Sequence, residues 1–110
     1  MPRFIVTGCY TASAMKAMVE RPSDREAASR ALVEAAGGTQ ESFFLTTGDS
    51  DFAIHVNIDD VSALLAGLLA VGASGAVSNL RTVRAFTADE FLEMQKKASG
   101  IAGAYKAPGA

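Results

Sequence analysis

The chain has 110 residues, 49% of them apolar and 20% charged, with a formal net charge of −2. That balance belongs to one globular domain with a single core, not to a disordered segment. The lysines and arginines are dispersed, which argues against a nucleic-acid partner, and the lone cysteine, Cys9, excludes an internal disulfide.

The start runs from Met1-Pro2-Arg3 straight into Phe4-Ile5-Val6, too short an apolar run for a signal peptide. Residues 3–10 are rich in β-branched and aromatic side chains and predict a first strand. Thr11 then caps a short helical piece carrying Met15, Met18 and Val19, which Pro22 interrupts. Ser23-Asp24-Arg25-Glu26 reads as a capping box with Ser23 as the cap. The helix it starts runs to residue 36 and stops at Gly37-Gly38, which suit a left-handed end.

Residues 39–47 and 51–58 predict two strands of a hairpin around Gly48-Asp49-Ser50. The second alternates cleanly: Phe52, Ile54, Val56 and Ile58 point to one face, Asp51, Ala53, His55 and Asn57 to the other. Asp59 or Asp60 caps the next helix, where Val61, Leu64, Leu65, Leu68 and Leu69 make a stripe at helical spacing. Residues 61–71 are too few to cross a bilayer and read as a buried helix face, so a cytoplasmic location with no membrane partner is expected. Gly72-Ala73-Ser74-Gly75 follows a helix rather than a strand and lacks a Lys-Ser/Thr ending, which rules out a phosphate loop. Residues 76–86 predict the last strand. Thr87-Ala88-Asp89-Glu90 repeats the capping box before a short helix that ends near residue 98, with Phe86 and Phe91 placed as a hydrophobic staple. Residues 99–110 read as a frayed tail beyond a domain of residues 1–98.

The order β-α-β-β-α-β plus a C-terminal helix predicts an α+β, ferredoxin-like fold. Its four-stranded antiparallel sheet would have the order 4-1-3-2, with helices on one face. The other face would carry His55 and a set of apolar neighbours: Ile5, Phe43 or Phe44, Leu45, Val77 and Val83. An apolar patch of that size asks for a second sheet packed on it, as in a dimeric α/β barrel. A homodimer or higher oligomer is therefore expected, with a small molecule held between the sheets.

The segments Phe4-Ile5-Val6 through Gly8-Cys9-Tyr10-Thr11, Ala35-Ala36-Gly37-Gly38, Phe44-Leu45-Thr46-Thr47-Gly48-Asp49-Ser50-Asp51-Phe52 and Arg81-Thr82-Val83-Arg84-Ala85-Phe86-Thr87 together resemble the GYD domain family. The resemblance covers residue 4 to about residue 94. It implies a ferredoxin-like, dimeric α/β-barrel type of fold and supplies no catalytic residue. At the family's naming signature the chain keeps Gly48 and Asp51 but has Ser50 at the tyrosine position.

The candidate ligand-binding residues are Thr7, Cys9, Asp51, His55 and Asn57. His55 is able to serve as general base, metal ligand or haem ligand, yet a catalytic histidine needs an orienting partner and a metal site needs several ligands. A hydrogen-bonded structural or interface role weighs more for a lone strand histidine. Asp51 reads first as a turn carboxylate accepting backbone N–H groups, and Cys9 as a small buried hydrophobe. Arg81 and Arg84 fall on opposite faces and suit interface pairing or solvated edges. No metal and no cofactor are expected. The rival to a binding module is an enzyme of the cofactor-free monooxygenase or isomerase kind, with His55 shuttling a proton and Thr7, Asp51 and Asn57 positioning substrate. A haem-dependent variant would use His55 as axial ligand. A structural or regulatory assembly module is the third reading.

Overall fold

The computed structural model describes residues 1–109. Four strands, β1 (Arg3–Tyr10), β2 (Thr39–Leu45), β3 (Phe52–Asn57) and β4 (Val77–Ala85), alternate with helices α1 (Ala12–Glu20), α2 (Arg25–Ala35) and α3 (Val61–Ala73). A fourth helix, α4 (Ala88–Ile101), follows and ends in a 3-10 turn at Ala102–Ala104. All strand pairs are antiparallel, in the order β2-β3-β1-β4; read from the other edge this is β4-β1-β3-β2, with the first and third strands central.

The core forms where the central strands meet the helices. Phe4 and Val6 of β1 and Phe52, Ile54 and Val56 of β3 turn to the helix side and pack with Val33 of α2, Leu64 of α3 and Ile58. Val56 and Ile58 retain 1% of their surface. On β1, Phe4 and Val6 face the helices, and Ile5 opposes His55 on the outer face. Gly8 continues the inward set because β1 must pass close to an aromatic ring there. A Cβ built on it would lie 2.7 Å from Phe52 Cζ and 3.2 Å from Leu80 Cδ2.

Both edge strands carry one extra residue. In β2, Gln40 opposes Val56 and Ser42 opposes His55, so Glu41 is inserted between them. In β4, Arg81 opposes Thr7 and Ser78 opposes Cys9, leaving Asn79 and Leu80 across from Gly8, with Asn79 at φ 52°. The inserted Glu41 fixes which of the phenylalanines turns inward. Phe43 opposes Ile54 and stacks 6.4 Å from the Phe52 ring, whereas Phe44 opposes Ala53 and is 65% exposed.

Several expectations are corrected. Asp24, not Ser23, caps α2 by accepting from the Ala27 amide, because Glu26 pairs with Arg30 one turn on rather than reaching back. Asp60 is the cap of α3. The leucine stripe of α3 is only partly interior: Leu64 is buried and Leu68 packs on the core, but Leu65 is half exposed and Leu69 74% exposed. The helix rolls so that one row, not two, meets the sheet. Leu45 and Val77 belong to the helix-side register, opposite Phe52 and Tyr10, which narrows the apolar set of the outer face to Ile5, Phe44 and Val83. Helix α4 has its capping box, with Thr87 accepting from the Glu90 amide and Glu90 accepting from the Thr87 amide. It continues three residues past the expected end, into the segment read as tail.

Helix α4 has no buried residue, and Phe91, Leu92 and Ile101 stand exposed along it. The Cα radius of gyration is 18.1 Å, against about 13 Å for a compact chain of about this size. The elongated outline, 61 × 32 × 22 Å, follows from this unpacked helix.

Candidate functional site

The outer face of the sheet is organised in cross-strand rows. One row runs Ser42, His55, Ile5, Val83; the next runs Phe44, Ala53, Thr7, Arg81; a third runs Thr39, Asn57, Arg3, Ala85. His55 thus sits near the middle of the face, on a central strand, with Ile5 beside it and Asn57 two residues along.

Glu41 joins His55 and Asn57. Its Oε1 accepts a hydrogen bond from Asn57 Nδ2, and its Oε2 lies 3.8 Å from His55 Nδ1. That second distance is too long for a hydrogen bond and becomes an ion pair when the imidazole is protonated. The arrangement exists because of the extra residue in β2, which puts both Glu41 and Ser42 opposite His55. Two polar atoms of the cluster, His55 Nε2 and Asn57 Oδ1, are inaccessible and have no hydrogen-bond partner. An unmade bond at a buried polar atom costs about 1–3 kcal/mol, and an ordered water is one way such atoms are satisfied.

The remaining sequence candidates separate into two places. Thr7 shares the outer face but lies one row from His55, opposite Ala53 and Arg81. Asp51 and Cys9 lie at the far end of β1. Asp51 Oδ2 accepts from the Tyr10 amide at 2.9 Å, and its own amide donates to the Gly8 carbonyl at 2.8 Å. Asp51 therefore does hold backbone N–H, but that of β1 rather than of its own turn. Cys9 is half-buried, not buried, and its Sγ donates to the Asp49 carbonyl at 3.1 Å. The structure therefore brings His55 and Asn57 together, and separates them from Asp51 and Cys9. Arg84 lies on the helix-side register over the rings of Phe86 and Phe4, at 4.2 and 5.8 Å, while Arg81 lies on the outer face.

Glu41 escaped the sequence reading. Strict alternation along β2 gives no reason to couple it to His55, and a bulge has no reliable signature in Thr-Gln-Glu-Ser. Among the described residues no group of three or more His, Cys, Asp or Glu side chains is placed to hold a metal ion. No helix among them is long and apolar enough to cross a membrane.

A second feature lies on the opposite side of the sheet. A cavity of about 140 Å³ opens between α2, α3 and the inner face, lined by Tyr10, Phe43, Phe52, Leu68, Val71 and Leu80 with Arg25 at its rim. The sequence reading placed its cavity between sheets and did not anticipate this one. From α3 its wall takes Leu64, Gly67, Leu68 and Val71, and from α2 Ala28, Ser29, Leu32 and Val33.

Fold and site together define a small α+β domain, a four-stranded antiparallel sheet covered by helices on one face and bearing a polar cluster on the other. The chain belongs to the GYD domain family, whose model matches residues 4–94. No curated protein matches it. Among solved structures, one titled "crystal structure of FFRP-DM1" aligns with a TM-score of 0.48 at 12% identity. That alignment covers 78% of this chain and 100% of the other. A likeness of that size carries nothing about function.

Proposed function

We propose that this GYD domain is ferredoxin-like and works as a homodimer, two copies joining their outer sheet faces around Glu41, His55 and Asn57 to hold a small molecule. The observation that carries the reading is the linked trio Glu41, His55 and Asn57 in the middle of the face, with the His55 and Glu41 side chains still partly exposed. Ile5, Phe44 and Val83 flank them and remain exposed in the single chain, which supplies an apolar rim for a second copy.

Two measurements test it. Sedimentation should give a dimer at micromolar concentration, and Val83→Glu, which sets like charges against each other across a two-fold face, should give a folded monomer. Native mass spectrometry of the purified dimer should show added mass that His55→Ala loses. A wild-type chain that sediments as a monomer at tens of micromolar overturns the shared site.

A second reading is favoured by one approach, Glu41 Oε2 at 3.8 Å from His55 Nδ1, from which the carboxylate would orient the imidazole for proton transfer on closing to hydrogen-bond distance. In it, the domain is a cofactor-free isomerase or monooxygenase. The analogy to other dimeric α/β barrels is one of fold only. The residue test is Glu41→Gln, which should lower turnover while leaving ligand retention intact; equal loss of both returns the site to simple binding.

A further inference from the structure

The helix side of the sheet carries a pair of adjoining hollows that no family resemblance accounts for. The first is the cavity of about 140 Å³ between α2 and α3, walled by aromatic and aliphatic side chains. The second is a shallower cleft of about 250 Å³ between α1 and the start of α2, lined by Met18, Arg21, Ser23 and Arg25 among others. Tyr10 and Arg25 belong to both and form the wall between them. One hollow is apolar and of the size that takes a single aromatic ring, since a cavity of ~150 Å³ lined by apolar side chains binds benzene. The other carries two guanidinium groups.

Those guanidinium groups have no carboxylate partner. Among the described residues neither Arg21 nor Arg25 makes an ion pair, while Arg3 and Arg30 each do. Arg25 Nη1 donates to the Ser23 hydroxyl, at 3.2 Å, and its guanidinium also engages the Tyr10 phenol. Burial raises the Tyr10 pKa above its ordinary value, and the Arg25 charge works against that rise, so the phenol keeps its proton as a donor near neutral pH. An apolar slot opening onto unpaired arginines and a phenolic O–H is complementary to a molecule with a ring or short chain at one end and an anionic oxygen pair at the other.

We propose that this double hollow is a ligand site for a small aromatic or short aliphatic carboxylate, its apolar body between α2 and α3 and its carboxylate on Arg25 and Arg21. The site lies across the sheet from His55 and is independent of the dimer reading. Gly67 lies on the cavity wall in α3, where an added Cβ would come 3.9 Å from Leu32 Cγ of the facing helix, so a larger side chain there would occupy the slot.

The test is titration calorimetry of the full chain with benzoate and, separately, benzyl alcohol, which has the same ring without the charge. Benzoate should bind saturably at one site per chain and move the amide resonance of Gly67. Arg25→Gln should weaken benzoate by about tenfold and leave benzyl alcohol unchanged. Gly67→Leu should abolish both, and Arg30→Gln, whose partner is Glu26, should change neither. Far-UV circular dichroism checks that each variant is folded. Absence of saturable benzoate binding overturns the proposal, as does binding that Arg25→Gln and Gly67→Leu leave untouched. A Gly67→Leu variant that is folded but changes the oligomeric state would assign the hollow to a second copy of the chain and overturn it equally.

Discussion

On the helix side of the sheet, Phe4, Val6, Phe52, Ile54 and Val56 stand in register and are all buried. On the other side, across the same backbone, Ser42, His55, Ile5 and Val83 form a row that mixes a hydroxyl, an imidazole and two exposed aliphatic groups. One face is already occupied by the chain's own helices; the other mixes polar groups with exposed aliphatic ones. The contrast teaches that the two ends of one side-chain alternation differ in what they give to stability, so mutation should separate them.

The sharpest way to break the comparison uses one chemistry on both faces. Phe52→Ala removes a buried ring that touches Tyr10 and Phe43, and is expected to cost about 3–5 kcal/mol in urea unfolding. Phe44→Ala, one strand over on the outer face, should cost under about 0.5 kcal/mol at a concentration where the chain is single. Equal losses would mean the outer face is packed after all.

Gly8→Ala comes next. The added methyl meets Phe52 and Leu80, both held within the core, and is expected to cost about 1–3 kcal/mol by overpacking. A neutral result would show that the Phe52 ring moves more freely than its burial suggests.

The smallest effect is local to α4. Thr87→Ala removes the cap and should cost that helix about 1 kcal/mol, seen as faster amide exchange in its first turn with little change in the global unfolding midpoint. Acid should act the same way. The Glu90 carboxyl is held below its ordinary pKa, first by the Thr87 backbone N–H and also by the Thr87 hydroxyl and Arg3. Its contribution is complete above the ordinary glutamate range near about pH 4.3 and is lost as pH falls through the depressed value. Exchange in the first turn of α4 should rise below that range, and Glu90→Gln should remove the pH dependence.

Much of this architecture was legible in the residues. The strict alternation of Phe52, Ile54, Val56 and Ile58 named the inward face of β3, and Thr87 with Glu90 named the start of α4, because both patterns depend only on neighbours in sequence. What escaped depends on distant partners. Glu41 meets His55 only through an irregular step in β2, and Ser23 yielded its capping place to Asp24 because Glu26 turned to Arg30. The leucines of α3 look alike in sequence, and only the way the helix seats on the sheet sorts Leu64 from Leu69. Of the candidate site, His55 and Asn57 came out as neighbours and Asp51 and Cys9 did not, since strand register, not residue type, decides proximity.

The extra residues in β2 and β4 sit on the two rims of the sheet, where unpaired N–H and C=O groups invite a further strand. Each interrupts the ladder, with the charged Glu41 inserted at one and Arg81 flanking the other. Ribbon-like growth, the route by which exposed sheets polymerise, is thereby discouraged at both borders. A protein built this way should resist edge-to-edge association while its helices stay seated on the core, a property that light scattering below the unfolding transition would register.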